Sequence, residues 1–121
     1  MIKTSVCLFF FLLFFTSTAL TQTSSNNADG SGIVVLDNDK IEVIEYVGKP
    51  QGNVCGMGEH HHAAHLTVAL TDATVLLTSA EGEQQTTDIP ADAVIWFDAG
   101  THSAMNKGNN ETRLLLVYLK E

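Results

Sequence analysis

Histidine is the residue type in this chain with the most evident chemistry. Five histidines occur in 121 residues, and four of them, His60, His61, His62 and His65, fall within one short segment. The fifth, His102, stands alone far downstream. Neutral imidazole is the commonest protein ligand for divalent transition metals. A metal site is therefore the first hypothesis for function.

Other interpretations of the histidine cluster stay open at this level. Short histidine clusters are weak motifs, and the same residues could lie on an exposed loop or form the polar core of a barrel without a metal. Sulfur from Cys55 and Met57 could also join the imidazoles in a copper site with soft ligands. Glu59 is interpreted as a solvated carboxylate, because its neighbour His60 fits the ligand pattern better.

The N-terminal segment reads as a targeting signal rather than as part of a fold. Lys3 precedes the apolar run Val6–Phe15, and small residues follow, as in a secretory signal peptide over residues 1–20. The run is too short to cross a bilayer as a helix, which needs about 20 apolar residues. The polar segment 21–32 predicts a flexible linker, and the domain is predicted over 33–121. We expect a secreted or periplasmic protein without stable membrane insertion after cleavage.

Net charge and cysteine content limit which kinds of partner and which covalent links the chain can have. The chain carries a formal net charge of −8, with 14 acidic residues against 6 basic ones. This balance argues against nucleic acid and against anionic membrane surfaces, so a metal or a small molecule is the better partner. Loss of Cys7 with the leader leaves Cys55 as the only thiol, which excludes an intramolecular disulfide and makes burial the default expectation.

The rest of the sequence predicts strands and no helix, since no stretch has a helical period over ten residues. Leu66, Val68 and Leu70 alternate with smaller or polar residues, as in a strand with two different faces. Short strands that recur about every eight to twelve residues indicate an all-β sandwich or barrel. The predicted strands are 33–36, 41–47, 66–71, 73–78, 84–89, 93–97 and 112–119, with a glycine-rich loop over 48–58 and a tight loop over 98–101.

Two of these strands are apolar on both faces. They are Val94–Phe97 and Leu114–Leu119, and such runs are typical of strands covered on both sides. Trp96 and Phe97 are accordingly interpreted as core residues. A domain of this size buries only somewhat more than about 60% of its unfolded surface, so association would add stability. We expect a homodimer.

Two segments resemble the two motifs of the cupin superfamily. The first, EHHHAAHLTVALTD over 59–72, supplies the family's HxH pattern with His60 and His62, while His65 stands at the position of the usual Glu and Asp72 at that of a Gly. The second is DAVIWFDAGTHSAMNKG over 92–108. In this segment Asp92 stands at the position of the family's first Gly and Asp98 at that of its Pro. Its inner Gly, its His and its Asn are matched by Gly100, His102 and Asn106.

The resemblance covers nearly the whole predicted domain and departs from the family pattern in three ways. Two residues rather than three or four separate His62 from His65, a single residue separates Gly100 from His102, and histidine replaces the usual carboxylate ligand. Asp can adopt the turn conformations that Gly usually serves. Small cupins with a THS-type second motif and an all-histidine ligand set are a familiar variant of the family.

The resemblance implies a double-stranded β-helix, the cupin jelly-roll barrel, with His60, His62, His65 and His102 as metal ligands. Strand geometry agrees, because residues two apart share a face of an extended segment. His60 and His62 would then point inward, and His61 would be a bystander. His102 would come from an adjacent strand distant in sequence.

The implied cofactor is a divalent transition metal, namely Fe, Mn, Ni, Cu or Zn. Neutral ligands leave the charge of the ion uncompensated and strengthen its Lewis acidity. The resemblance therefore suggests a metal-dependent dioxygenase, similar to the quercetinase-like or diketone-cleaving members, that acts on a small chelating substrate. The alternative is a non-catalytic module that binds a metal or small ligand. No general base is identifiable beyond the ligands themselves.

Overall fold

Residues 30–121 are described by the computed structural model, and they form β-strands without a helix. The predicted signal peptide and all but the end of the predicted linker lie outside these residues. Among the described residues, no helix is long and apolar enough to span a membrane. The strands are β1 (Gly32–Asp37), β2 (Ile41–Gly48), β3 (His60–His62), β4 (His65–Ala69), β5 (Ala73–Ser79), β6 (Gln84–Ile89), β7 (Val94–Phe97), β8 (Gly100–Asn106) and β9 (Thr112–Leu119).

The strands form two antiparallel sheets. One has the order β1-β2-β9-β4-β7 and the other the order β3-β8-β5-β6. Alternate residues of β4 and β9 point between the sheets, as the period of two predicts. Leu116, Leu114, Val75 and Ala104 are buried there. The predicted all-β fold is therefore confirmed.

Backbone conformation at Asp92 supports one of the motif assignments. This residue has a φ of 69°, a left-handed conformation that glycine adopts without strain and that Asp tolerates better than most residues. Its amide donates to the carbonyl of Ala69 at 2.8 Å, which closes the corner before β7. Asp thus occupies the place where the motif usually has Gly.

The predicted loop over 98–101 is wrong in its second half. The strand β8 already begins at Gly100, because this residue pairs with His62 of β3. Further along, β8 also pairs with β5, in a register that sets Met105 opposite Leu76. Neither partner is near in sequence, so local turn signals do not reveal where the strand starts.

The interpretation of Trp96 as a core residue is also wrong. Trp96 is 49% exposed and Val94 is 62% exposed, whereas Phe97 points inward and stacks on the ring of His65. The strand β7 lies at the edge of its sheet, and no second layer of the described chain covers its outer face. The indole Nε1–H instead donates to Asp98 at 3.1 Å.

Candidate metal site

Pairing between β3 and β8 brings the two remote histidine segments together. His60 lies directly opposite His102 in the antiparallel register, and the centroids of their rings are 5.0 Å apart. The ring of His62 lies 4.5 Å from that of His60 and 5.3 Å from that of His102. His61 points away, is exposed and hydrogen bonds to Thr101. The expected bystander role of His61 agrees with this geometry.

The thiol of Cys55 reaches the same point from the loop between β2 and β3. Its Sγ lies 3.8 Å from Nε2 of His60 and 3.8 Å from Nε2 of His102. Ligand atoms of Cys55, His60, His62 and His102 all lie within 4.8 Å of one another. Sequence reasoning gave Cys55 only as an alternative, because nothing local in the glycine-rich loop indicates where the loop travels. Met57, the other sulfur considered, is 66% exposed.

Hydrogen bonding orients His60 toward this cluster. Its Nδ1–H donates to the carbonyl of Gly58 at 2.8 Å, so the lone pair is on Nε2, the atom that faces Cys55. Such a bond to a backbone carbonyl is the usual support of a metal-binding histidine. The ring packs directly on Gly56, where a Cβ would lie 2.8 Å from Nδ1 and where φ is 143°. Glycine is therefore required at that position.

His62 is the most constrained of the imidazoles. Its Nε2–H donates to the carbonyl of Cys55 at 2.9 Å, and its Nδ1 accepts from the hydroxyl of Tyr118 at 2.6 Å. Burial, together with the neighbouring His60, His65 and His102, lowers the pKa of His62 from 6.5 to about 4. The ring is thus neutral at physiological pH. Coordination of an ion by His62 would replace one of these two hydrogen bonds.

Burial also shifts the pKa of two neighbouring groups. It is the largest cause of the lowered pKa of His102, with the nearby His60 and His65 as further causes. It raises the pKa of the Cys55 thiol to about 12. The neutral imidazole is the form that binds metals, whereas the thiol must lose its proton to become a ligand.

His65 lies beside the cluster and not among the four atoms grouped above. It is 3% exposed, and its Nδ1–H donates to the carbonyl of Ala63 at 2.7 Å. Its ring centroid lies 5.1 Å from that of His62, and it stacks on Phe97 with an interplanar angle of 20°. The assignment of His65 as a metal ligand stays a prediction.

A small cavity of about 40 Å³ lies between the sheets next to the cluster. Cys55, His65 and His102 line it on one side, and the others that line it, among them Phe97 and Leu116, are mostly apolar. A single water needs at least about 10 to 15 Å³ of such volume, whereas typical pockets for small organic ligands measure about 300 to 1,000 Å³. This space is large enough for a few waters or a diatomic molecule, and too small for an organic ligand of ordinary size.

The fold is that of solved cupin domains. A cupin domain from Bordetella pertussis has a TM-score of 0.68 and 23% identity, with 77% of this chain and 95% of that chain covered. A Klebsiella pneumoniae protein with a double-stranded β-helix domain has a TM-score of 0.55 and 17% identity, with 78% and 89% covered. The polyketide cyclase RemF from Streptomyces resistomycificus has a TM-score of 0.57 and 18% identity, with 74% of this chain and 64% of that chain covered.

These likenesses establish the class of fold, and the predicted cupin jelly-roll is confirmed. No protein-family model matches the sequence, and no curated protein matches it significantly. The described residues carry a cluster of three imidazoles and one thiol that could hold a metal ion. Imidazole and thiolate suit zinc, copper and other borderline or soft ions. The donor set therefore fits a transition metal.

Proposed function

We propose that this chain is an exported metal-binding module built on the cupin fold. One divalent transition ion would be held by His60, His62 and His102, with either Cys55 or His65 as the fourth donor. The observation that carries the proposal is the convergence of the histidines of β3 and β8, with four ligand atoms within 4.8 Å of one another. The sequence separation of these residues argues against a chance cluster of neighbours.

The size of the adjoining space favours binding over catalysis on a chelating organic substrate. A dioxygenase of the quercetinase-like kind would need an open coordination position and room for its substrate beside the ion. The cavity of about 40 Å³ is several-fold below the usual range for such ligands. Four protein donors would also fill a tetrahedral ion, as in closed structural zinc sites.

A metal-dependent dioxygenase is the second candidate, and one observation favours it. The bond from Nδ1–H of His65 to Ala63 leaves the lone pair on Nε2, and this ring borders the cavity with Cys55 and His102. A small reactant in the cavity would therefore lie between the metal donors and a further imidazole. If His65 is not a ligand, it is the residue placed to exchange a proton with such a reactant.

Metal content tests the proposal. The protein is purified without a polyhistidine tag from medium that contains Fe, Mn, Ni, Cu and Zn, and its metals are measured by elemental analysis. We expect about one ion per chain in the wild type, a large loss in His60→Ala and His102→Ala, and no change in His61→Ala, the matched histidine control. Less than about a tenth of an equivalent in the wild type would refute the proposal. Oxygen uptake with diketones, flavonols or thiols would favour the dioxygenase instead.

The proposed function also includes self-association and export of the chain. All residues of the edge strand β1 are exposed, among them Val34 at 52% and Val35 at 50%, and β7 at the other edge exposes Trp96. Long apolar edge strands promote association unless they are covered. We propose that a second copy of the chain covers one of these edges. Light scattering with Val35→Lys on β1 and Trp96→Lys on β7 tests the assembly, since the variant at the covered edge should shift a dimer to monomer. N-terminal sequencing of the exported chain tests export.

A further inference from the structure

The position of Cys55 relative to the histidines distinguishes between coordination geometries. Bonds of about 2.3 Å to sulfur and 2.0 to 2.1 Å to nitrogen separate two donors by about 3.6 Å at a tetrahedral angle and by about 3.1 Å at a right angle. Sγ of Cys55 lies 3.8 Å from Nε2 of both His60 and His102. Both separations are therefore close to the tetrahedral value before any adjustment of the side chains.

The loop that carries Cys55 is fixed in place by the sheet beneath it. The amide of Val54 donates to the carbonyl of Ala104 at 3.0 Å, and the amide of Asn106 donates to the carbonyl of Gly52 at 2.9 Å. The side chain of Val54 is itself buried. These bonds join the loop to β8, the strand that also carries His102, so the separation of thiol and imidazole is set by one rigid unit.

His65 is the competing fourth donor, and its contacts favour a different role. Its ring stacks on Phe97 and lies 5.2 Å from the ring of Tyr118. It lies outside the group of four ligand atoms, which includes the sulfur of Cys55 instead. The described residues thus offer a complete set of four donors without His65.

We infer that Cys55 binds the ion as a thiolate and completes a tetrahedral site with His60, His62 and His102, which selects zinc(II) over manganese(II) and iron(II). This inference rests on the proposed metal-binding function and specifies its fourth ligand. On binding, the S–H bond breaks, the proton passes to solvent, and a metal–sulfur bond replaces a bond from the aqua ion to water. Thiolate is a soft ligand that suits zinc, while manganese prefers oxygen donors.

Cobalt(II) is the probe, because it occupies tetrahedral zinc sites and gives a near-ultraviolet charge-transfer band when it binds thiolate. The full chain contains 2 cysteines, so the experiment uses Cys7→Ser as the matched control, in which Cys55 is the only thiol. We expect the band and the intense visible absorption of tetrahedral cobalt in the wild type and in Cys7→Ser, with loss of the band in Cys55→Ser. Zinc should displace the cobalt, and manganese should bind at least about 100-fold more weakly than zinc.

The outcomes separate this inference from the function on which it rests. Cobalt binding without the charge-transfer band in Cys7→Ser would overturn the thiolate ligand and leave an all-histidine site. Absence of any stoichiometric binding would overturn both. The band in Cys7→Ser assigns the ligand even if Cys55→Ser fails to fold. Circular dichroism of each variant identifies loss of structure, and His65→Phe, which we expect to keep the band, tests the competing donor directly.

Discussion

Replacement of Asn106 by Ala should destabilise the folded chain, because it removes three hydrogen bonds at once. Its side chain is fully buried. The Nδ2 group donates to the carbonyls of Gly48 and Asn110, at 3.2 and 2.8 Å, and Oδ1 accepts from the amide of Gly108 at 2.9 Å. One residue of β8 thus secures the ends of two loops that have no regular structure of their own.

The cost follows from the number of bonds lost. Each buried hydrogen bond contributes about 1 kcal/mol net, and an unsatisfied partner costs about 1 to 3 kcal/mol. The carbonyl of Gly48 keeps a second donor, the hydroxyl of Thr112 at 3.3 Å, so the loss there is the smallest. We therefore expect Asn106→Ala to lower the free energy of unfolding by about 3 kcal/mol. For a domain of this size the midpoint of thermal unfolding should fall by roughly 12 to 24 °C.

Thermal and urea unfolding, followed by circular dichroism, measure this change. Asn109→Ala is the matched control, since Asn109 is an exposed residue of the same type, and its effect should stay within about 0.5 kcal/mol. A loss below about 1 kcal/mol for Asn106→Ala would show that water replaces the amide and would refute the reasoning.

Three further predictions concern the site. The pKa of His62 in the folded chain is about 4, below its ordinary 6.5, so between these two values only the unfolded chain binds the proton. The stability of the metal-free protein should therefore be complete above about pH 6.5 and fall toward pH 4. Urea unfolding midpoints measured against pH test this, and His62→Gln but not His61→Gln should reduce the pH dependence. Gly56→Ala should weaken zinc binding at least about tenfold by displacing the ring of His60. The matched control is Gly82→Ala, which also adds a side chain at a positive φ, here 86°, but where nothing lies within 4 Å of an added Cβ; it should leave zinc binding nearly unchanged in a competition titration. Free zinc at about 100 times its Kd should raise the free energy of unfolding by about 2.7 kcal/mol, and an unchanged midpoint in calorimetry would contradict specific binding to the folded chain.

Side-chain burial was predictable from the sequence where the alternation of residues along a strand decides which side chains point inward. Alternation in the segment after the histidines predicts that Thr67 and Ala69 share a face with His65, and all three point inward. The exposure of Trp96 was not predictable in this way, because an apolar edge strand has the same composition as a central one. Only the order of strands in the sheet determines that β7 lies at an edge.

The placement of the histidines was predictable from the sequence, because all three lie on paired strands. The spacing of His60 and His62 places both on one face, and the second motif supplies His102 opposite them. Cys55 could not be placed from the sequence, since its position depends on hydrogen bonds between its loop and β8. Those bonds join residues about fifty positions apart, and no local pattern encodes them.

The short strand β3 has a kinetic consequence. It has three residues, pairs with β8 alone and lies at the edge of its sheet, yet it carries both His60 and His62. Fraying of an edge needs far less free energy than global unfolding. One local opening would detach two donors together, so we expect the exchange rate of a bound ion to follow amide hydrogen exchange in this strand rather than the global unfolding rate.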